Sequence, residues 1–359
     1  MRGSVNQDWQ SASIRITLGG LSLLPDLERY YESSIPDAIA VAIWFTGTTK
    51  KSHAYITVIA GFIILDHDNG FESMIAKPPF LDLDSHRKGI ALSQRHYALQ
   101  LLEDSGYSAC KPTVVPMDPK ISLTATEGEL LPDITHYRWL VGKLLYLTLS
   151  CLDITFAVHK LTQFLAQPRL PHLKAVHHLL HYLKNSPGQG LLFSSNSSLQ
   201  LKAFSDADWG SCPDSRRSVT GFCIFIRDFL VSWKAKKQTT ISRSSVEAEY
   251  RALSSTASEL IWLQQLLQDF QVTADSPTLL YCDNQAAIHI ASNPTFYECA
   301  KHIEIDCYFV HERVASGVLK LLPIRSQYQL ADLFSKPLPS TQFFSLLSKM
   351  VTSHLEGEY

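Results

Sequence analysis

The sequence has no C-x-x-C pair. Its seven cysteines, Cys110, Cys151, Cys212, Cys223, Cys282, Cys299 and Cys307, stand apart from one another. That excludes the usual zinc ribbons and knuckles, and in a chain of 359 residues it argues against a disulfide framework, so a reducing compartment is expected. Long hydrophobic runs are missing too. The longest, Tyr55 to Leu65, falls well short of the ~20 residues that span a bilayer. The first 24 residues scatter Gln, Asp, Asn and Ser where a signal peptide needs an apolar core. There is no excess of either charge: 32 Lys and Arg stand against 34 Asp and Glu, so nothing global announces nucleic acid or a membrane surface. What is present is a core. Apolar residues make up 45% and charged residues 18%, a globular composition, and at roughly 150 residues per domain the length allows about two domains.

Residues 1–79 hold two apolar segments, 38–45 and 55–65, no repeat and no chemical motif, and they close on Lys77-Pro78-Pro79. Beyond Phe80 the pattern predicts helices over Ile90 to Asp104 (stopped by Gly106), Tyr137 to Leu149, Ile154 to Leu165 and His172 to Leu183. A loop marked by Pro112, Pro116 and Pro119 separates the first two. Asn185 to Gly190 is a turn cluster, and Ser194 to Ser198 reads as a linker. Strands follow over Leu199 to Asp206, Ser218 to Ile226 and Phe229 to Trp233, the last two joined by a tight hairpin at Arg227-Asp228. A long helix from about Ser245 to Phe270 opens with a capping box, Ser244 and Glu247. Then come a strand (Thr278 to Asp283), helices from Asn284 and Ile303, a strand (Val318 to Ile324) and a last helix from Gln329. This order predicts an α/β fold with a mixed five-stranded sheet and flanking helices.

Four carboxylates stand at the ends of these elements: Asp206, Glu249, Asp283 and Asp332. Strand ends and adjacent helix starts converge in open α/β sheets, so the four are expected to share one crevice. Any one alone reads more simply as a turn or cap residue. Together they are costly unless they serve one purpose, because each lies beside an apolar element. Clustered oxygens without imidazoles suit hard cations such as Mg²⁺, and two such ions suit phosphodiester cleavage. Asp208 lies two residues from Asp206 and shares its strand face, so alternation does not choose between them. Glu249 falls at the edge of the buried helix face, and Glu247 fits the capping role.

These residues carry a resemblance. Lys88-Gly-Ile-Ala-Leu-Ser-Gln-Arg-His-Tyr97, Cys110-Lys-Pro-Thr-Val-Val-Pro-Met-Asp118, Tyr137-Arg-Trp-Leu-Val-Gly-Lys-Leu-Leu-Tyr146 and Tyr182-Leu-Lys-Asn-Ser-Pro-Gly188 resemble the end of the reverse transcriptase of copia-type LTR retrotransposon Pol polyproteins. Ser205-Asp-Ala-Asp-Trp209, Ser244 to Tyr250, Tyr281-Cys-Asp-Asn-Gln285, Lys301-His-Ile-Glu304 and Gln329 to Leu338 resemble their ribonuclease H domain. The resemblance implies a ribonuclease H-like domain over 196–345, followed by a tail at 346–359. It implies a mostly helical reverse-transcriptase thumb or connection remnant over 80–195, and a divergent or truncated polymerase region over 1–79. It further implies hydrolysis of the RNA strand of an RNA–DNA hybrid with two Mg²⁺ ions, Mn²⁺ being the substitute, held by Asp206, Glu249, Asp283 and Asp332. In the family's S-D-A-D motif the first Asp is the ligand, which selects Asp206. Other retroelement Pol or Gag products are the expected protein partners. The cytoplasm is the expected compartment, with a virus-like particle or the nucleus as alternatives. The paired-Asp hairpin of the family's polymerase core has no counterpart in the sequence, so polymerase activity is not expected. The family's Arg-Pro-Asp-Ile is Cys151-Leu-Asp-Ile154 here.

The neutral total hides an uneven layout. From Ile154 to Ser205 there is no Asp or Glu, and a second basic run takes in Arg216, Arg217, Arg227, Lys234, Lys236, Lys237 and Arg243. Such stretches can track phosphates. Lys236 and Lys237 are expected to grip the hybrid backbone, with Asn284 and Gln285 as further nucleic-acid contacts. His172, His177, His178 and His181 lack the Glu of H-E-x-x-H, so packing rather than zinc is their expected role. Trp209 is expected in the core rather than stacked on a base. The rival readings are a catalytically inactive or co-opted nucleic-acid-binding remnant, and an integrase-like strand transferase. The latter needs a late-helix Glu and a His/Cys module that the sequence lacks.

Overall fold

The structure, a computed structural model, describes residues 39–42, 62–65, 82–86, 89–194, 200–226, 228–269, 277–293 and 303–350. The chain divides into two compact units, Met1–Ala76 with Gln265–Thr273, and Lys77–Gln264 with Ala274–Tyr359. In the first, β1 (Ile39–Ala42) pairs antiparallel with β2 (Phe62–Leu65). The remainder of the two apolar segments expected there, and most of the Ser194 to Ser198 linker, lie outside the described residues. Among the described residues no helix is long and apolar enough to cross a membrane, and no described cysteine is paired.

The second unit holds the expected 80–195 region and, apart from Gln265–Thr273, the expected 196–345 region. It opens with β3 (Asp82–His86) and β4 (Gly89–Ser93), which form a three-stranded antiparallel sheet with β5 (Gly190–Ser194), β4 in the centre. The helix expected from Ile90 therefore begins later, as α1 (Arg95–Asp104). Gly89–Ser93 finds strand partners on both sides, and that pairing overrides its local helical pattern. Helices α2 (Ile134–Leu147), α3 (Thr155–Thr162) and α4 (Leu170–Asn185) follow. Asp133 caps α2 by accepting the Thr135 N–H at 2.8 Å. Pro171 sits in the first turn of α4, where a missing N–H costs nothing.

The histidines of α4 serve packing, as expected. His172 accepts the Arg169 N–H at 2.9 Å through Nδ1, places Nε2 3.0 Å from the Thr124 carbonyl and stacks on Phe164. His178 and His181 lie against the carbonyls of Val115 and Lys111. Together they pin the proline-marked loop to the helix. Tyr182 donates to buried Asp153, the Asp of Cys151-Leu-Asp-Ile154, and burial pushes the Asp153 carboxyl up to about 6.

The five-stranded sheet is mixed, as predicted. Its strands are β6 (Leu201–Asp208), β7 (Val219–Ile226), β8 (Phe229–Lys237), β9 (Thr278–Cys282) and β10 (Leu319–Pro323). Their order is β10-β9-β6-β7-β8, with β6, β7 and β8 antiparallel and β10, β9 and β6 parallel. Ile226 pairs with Phe229, which gives the expected two-residue hairpin. Helices α5 (Ser245–Asp269), α6 (Gln285–Ser292) and α7 (Glu304–Ala315) join the later strands. The expected last helix is two: a single turn, α8 (Asp332–Ser335), and α9 (Ser340–Leu347). Pro337 and Pro339 break it between them. Leu346, Leu347 and Met350 are buried, so packed structure continues past the expected end at 345.

The helices before the sheet pack directly on it. The Trp233 indole N–H donates to Thr155 Oγ1 at 3.1 Å, the Ala125 N–H donates to Asp214 at 3.0 Å, and Tyr182 meets Phe343 edge to face. Both α3 and the sheet strand β7 contact α8. The region expected to be a reverse-transcriptase remnant therefore contacts the turn that carries Asp332.

Candidate active site

Backbone register brings the acids together. Asp206, in the central strand β6, lies opposite Gly221 of β7. On the other side Lys202, Ala203 and Phe204 are level with Leu279, Leu280 and Tyr281 of β9. Carried two places on, that parallel register sets Asp283 level with Asp206. Helix α5 comes close to β6 because small residues meet there: Ala207, Ala248 and Ala252 form one buried cluster. The approach brings Glu249 beside Asp206. Helix α8 lies against β7 at Gly221, where an added Cβ would fall 2.7 Å from the Ala331 carbonyl oxygen, and this sets Asp332 at the same spot.

The side chains are tightly held. Asp206 is 2% exposed. Its Oδ2 accepts from the Ser335 hydroxyl and lies 3.3 Å from Lys336 Nζ, which is 2.9 Å from Asp332 Oδ1. Gln342 donates to Asp332 Oδ2 at 3.3 Å, and Ser326 to Asp283 Oδ2 at 2.7 Å. Glu249 is 7% exposed, and its Oε2 is buried without a partner. Ligand atoms of Glu249, Cys282 and Asp283 all lie within 4.8 Å of one another. Burial and the Glu249 charge push the Cys282 thiol up, so it stays protonated and a poor ligand. The remaining donors are carboxylate oxygens. An orphaned buried oxygen among three further carboxylates fits a hard divalent cation.

The same crowding shifts the acids. Burial, then the charges of Asp206 and Asp283, push Glu249 up to about 9. Burial and Asp206 push Asp332 to about 7, with Lys336 opposing. Both folded values exceed the ordinary carboxylate value, so between them the folded state holds protons that the unfolded chain has released. Their contribution to stability is complete below about pH 4 and is lost as pH rises through 7 and 9. Thermal melts in a chelator should therefore show a melting temperature that falls from pH 6 to 9. Excess Mg²⁺, which favours the ionised carboxylates, should flatten that fall. A chelated melting temperature independent of pH would contradict this electrostatic picture.

Glu247 is committed to the helix start: its backbone N–H donates to Ser244 Oγ at 3.2 Å, and its carboxylate accepts the Arg243 N–H and pairs with Arg251 at 3.0 Å. The capping box thus reaches one residue further back than its usual form. Strand β6 continues through Asp208, so Asp206 does not end it. Asp208, the last residue of the strand, is half-buried. Asn284 caps α6 by accepting the Ala287 N–H at 3.1 Å, and Gln285 is exposed beside it. Lys236 is exposed, whereas Lys237 is half-buried with Nζ 3.7 Å from Cys212 Sγ. As neighbours on one strand they project to opposite faces. Trp209 is 51% exposed, its indole N–H bonded to the Ser242 carbonyl, so the expected core role is wrong. The turn after β6 carries it out of the sheet. Sequence reasoning missed Lys336, Ser335, Ser326 and Gly221. For Lys336 the signal was its i,i+4 spacing from Asp332.

A mixed α/β sheet with four acids at its centre is what the fold and site define. No protein-family model matches the chain. It is 38% identical over 273 residues (76% of this chain, 19% of the relative) to the retrovirus-related Pol polyprotein from transposon RE1 of Arabidopsis thaliana. It is 31% identical over 271 residues (73% and 20%) to that from transposon TNT 1-94 of Nicotiana tabacum. With an uncharacterized mitochondrial protein of Arabidopsis thaliana it shares 41% over 182 residues, 51% of this chain and 75% of that one. Its homologues are retrovirus-related Pol polyproteins of copia-type transposons, and the chain spans about a fifth of their length. Among solved structures it resembles the N-terminal RNase H domain of a Mycobacterium tuberculosis protein, at 12% identity and a TM-score of 0.28, over 42% of this chain and 98% of that one. That likeness is too slight to define a fold.

Proposed function

We propose that the 196–345 region is a ribonuclease H-like domain that hydrolyses the RNA strand of an RNA–DNA hybrid, using divalent cations held by Asp206, Glu249, Asp283 and Asp332. The observation that carries this reading is the convergence of the four acids around an unpartnered Glu249 oxygen, in a chain related to retrotransposon Pol polyproteins. Mg²⁺, with Mn²⁺ as substitute, would activate a water for attack on the scissile phosphate and stabilise the leaving oxygen. The chain's own groups hold the carboxylates ready. Ser335 fixes Asp206, Ser326 fixes Asp283 and Gln342 fixes Asp332, as the outer partners of metal ligands do. Cleavage of a labelled hybrid with Mg²⁺ tests the reading; an intact hybrid under conditions where the chain is folded and binds it would overturn it.

Binding to the hybrid backbone falls to the exposed cations Arg216, Arg217, Lys236 and Arg243. Lys237 and Lys160, beside Cys212, serve packing more than phosphate. Lys236→Ala should reduce the slope of log K against log salt by about 0.7–1, one phosphate contact, while Lys237→Ala should change it less. Equal slopes for wild type and Lys236→Ala would remove Lys236 from the interface. A second reading, a binding remnant without cleavage, is favoured by one observation: Lys336 already neutralises two of the four acids. Hybrid binding without cutting at any Mg²⁺ or Mn²⁺ concentration would decide for it.

A further inference from the structure

The two flanks of Asp206 are unlike. On one, Glu249 and Asp283 face each other within 4.8 Å together with Cys282, and Glu249 keeps a buried oxygen without a partner. On the other, Lys336 reaches in from the end of α8 and sets its ammonium 3.3 Å from Asp206 and 2.9 Å from Asp332. The placement is built. The Lys336 backbone is extended (φ −146°, ψ 156°), as a residue before proline prefers. Ser335, its chain neighbour, donates to the same Asp206 oxygen that Lys336 approaches. The lysine side chain remains 33% exposed, so its stem has a path back to solvent. An ammonium and a divalent ion repel each other strongly when they share one pair of carboxylates.

Resting on the reading of these acids as a divalent-cation site, we infer that Lys336 is a resident counter-ion of the Asp206–Asp332 flank. One divalent cation binds at the Glu249–Asp283 flank with Lys336 in place. A second binds only by driving the ammonium out. Lys336 is thus a positioning residue: it holds Asp206 and Asp332 in their cation-binding arrangement while the flank awaits an ion, and it sets how much cation the full site requires. A lysine suits this better than an arginine, because its charge is a compact point on a flexible stem rather than a rigid fork.

The test is titration of the full chain with Mn²⁺ alone, read by calorimetry and by the paramagnetic signal of free Mn²⁺. Wild type, Lys336→Gln and Lys336→Arg are compared. Wild type should bind one Mn²⁺ well and a second at least tenfold more weakly. Lys336→Gln should bind the second at least tenfold more tightly than wild type does, and should melt at a lower temperature than wild type before Mn²⁺ is added. Lys336→Arg, which keeps the charge on a stiffer fork, should bind the first Mn²⁺ as wild type does and the second no more tightly than wild type. Identical stoichiometry and affinities in wild type and Lys336→Gln would overturn the inference while leaving the cation site standing. A wild-type chain that binds no Mn²⁺ at millimolar concentration would instead overturn the reading of the acids themselves. If Lys336→Gln folds only in Mn²⁺, the loaded protein is titrated down with chelator instead: loss of the second ion below the wild-type second-site constant supports the inference, and loss at or above it overturns the inference.

Discussion

Asp206→Asn should lower hybrid cleavage by more than about 100-fold, the upper end of what losing even an outer partner of a metal ligand costs. Asn keeps the shape of Asp but offers only one oxygen and no charge. Asp206 is the acid that the others surround. It shares Lys336 with Asp332, accepts from Ser335, and its charge helps to raise both Glu249 and Asp332. The substitution therefore has a second signature. With the Asp206 charge gone, the Glu249 carboxyl should fall from about 9 toward the ordinary range. The decline of melting temperature between pH 6 and 9 in chelator should then become shallower. Loss of cleavage with an unchanged pH profile would point to misfolding rather than to the site.

Asp283→Asn separates the two effects. Asp283 is half-exposed, and Ser326 donates to it at 2.7 Å. Removing its charge should abolish cleavage to a similar degree while flattening the pH dependence of melting less than Asp206→Asn does, because Asp283 is the smaller of the two charges that raise Glu249 and solvent screens its field. A hybrid-cleaving Asp283→Asn would take Asp283 out of the candidate site and leave the other three acids to be explained as structure.

Much of this arrangement can be read along the chain, because its signals are local. Asp206 and Asp283 follow apolar strand patterns, Glu249 sits one turn past a capping serine, and the order of strands and helices yields the five-stranded sheet directly. The misses share a cause. Gly89–Ser93 looks helical in its own window, and only its two strand partners, one of them about 100 residues on, make it β4. Lys336 shows its spacing to Asp332, but nothing local reveals its contact with Asp206, since α8 and β6 lie far apart in sequence. Trp209 looks like core because it follows a buried strand. The chain turns at Gly210, which has a φ of +62°, and leaves the indole outside. Glu247 and Glu249 could be told apart because one had a capping partner at a fixed offset and the other fell at the edge of the buried helix face.

Gly221→Ala should be the most damaging single-methyl change in the sheet. An ideal Cβ at this position lies 2.7 Å from the Ala331 carbonyl oxygen, 2.8 Å from the Ser335 nitrogen and 2.9 Å from the Phe334 carbonyl carbon. All three are backbone atoms, so no side-chain rotation relieves the clash and α8 must move. The turn has little room to do so. Phe334 is fully buried, and α8 touches β6, β7, β8 and α3. Overpacking of this kind costs about 1–3 kcal/mol. The displacement falls on Asp332 and Lys336, so cleavage should drop by about tenfold or more, since a shift near 1 Å in a positioned group costs on the order of 100-fold. Raising Mg²⁺ should recover part of the loss. Gly142→Ala is the matched control. Gly142 lies exposed in α2 with nothing within 4 Å of an added Cβ, so there the same methyl group should stabilise by about 0.5–1 kcal/mol through helix propensity. Denaturant unfolding and cleavage measured on both variants give opposite signs if α8 rests on Gly221. Equal, small effects would mean that the turn carrying Asp332 is held elsewhere.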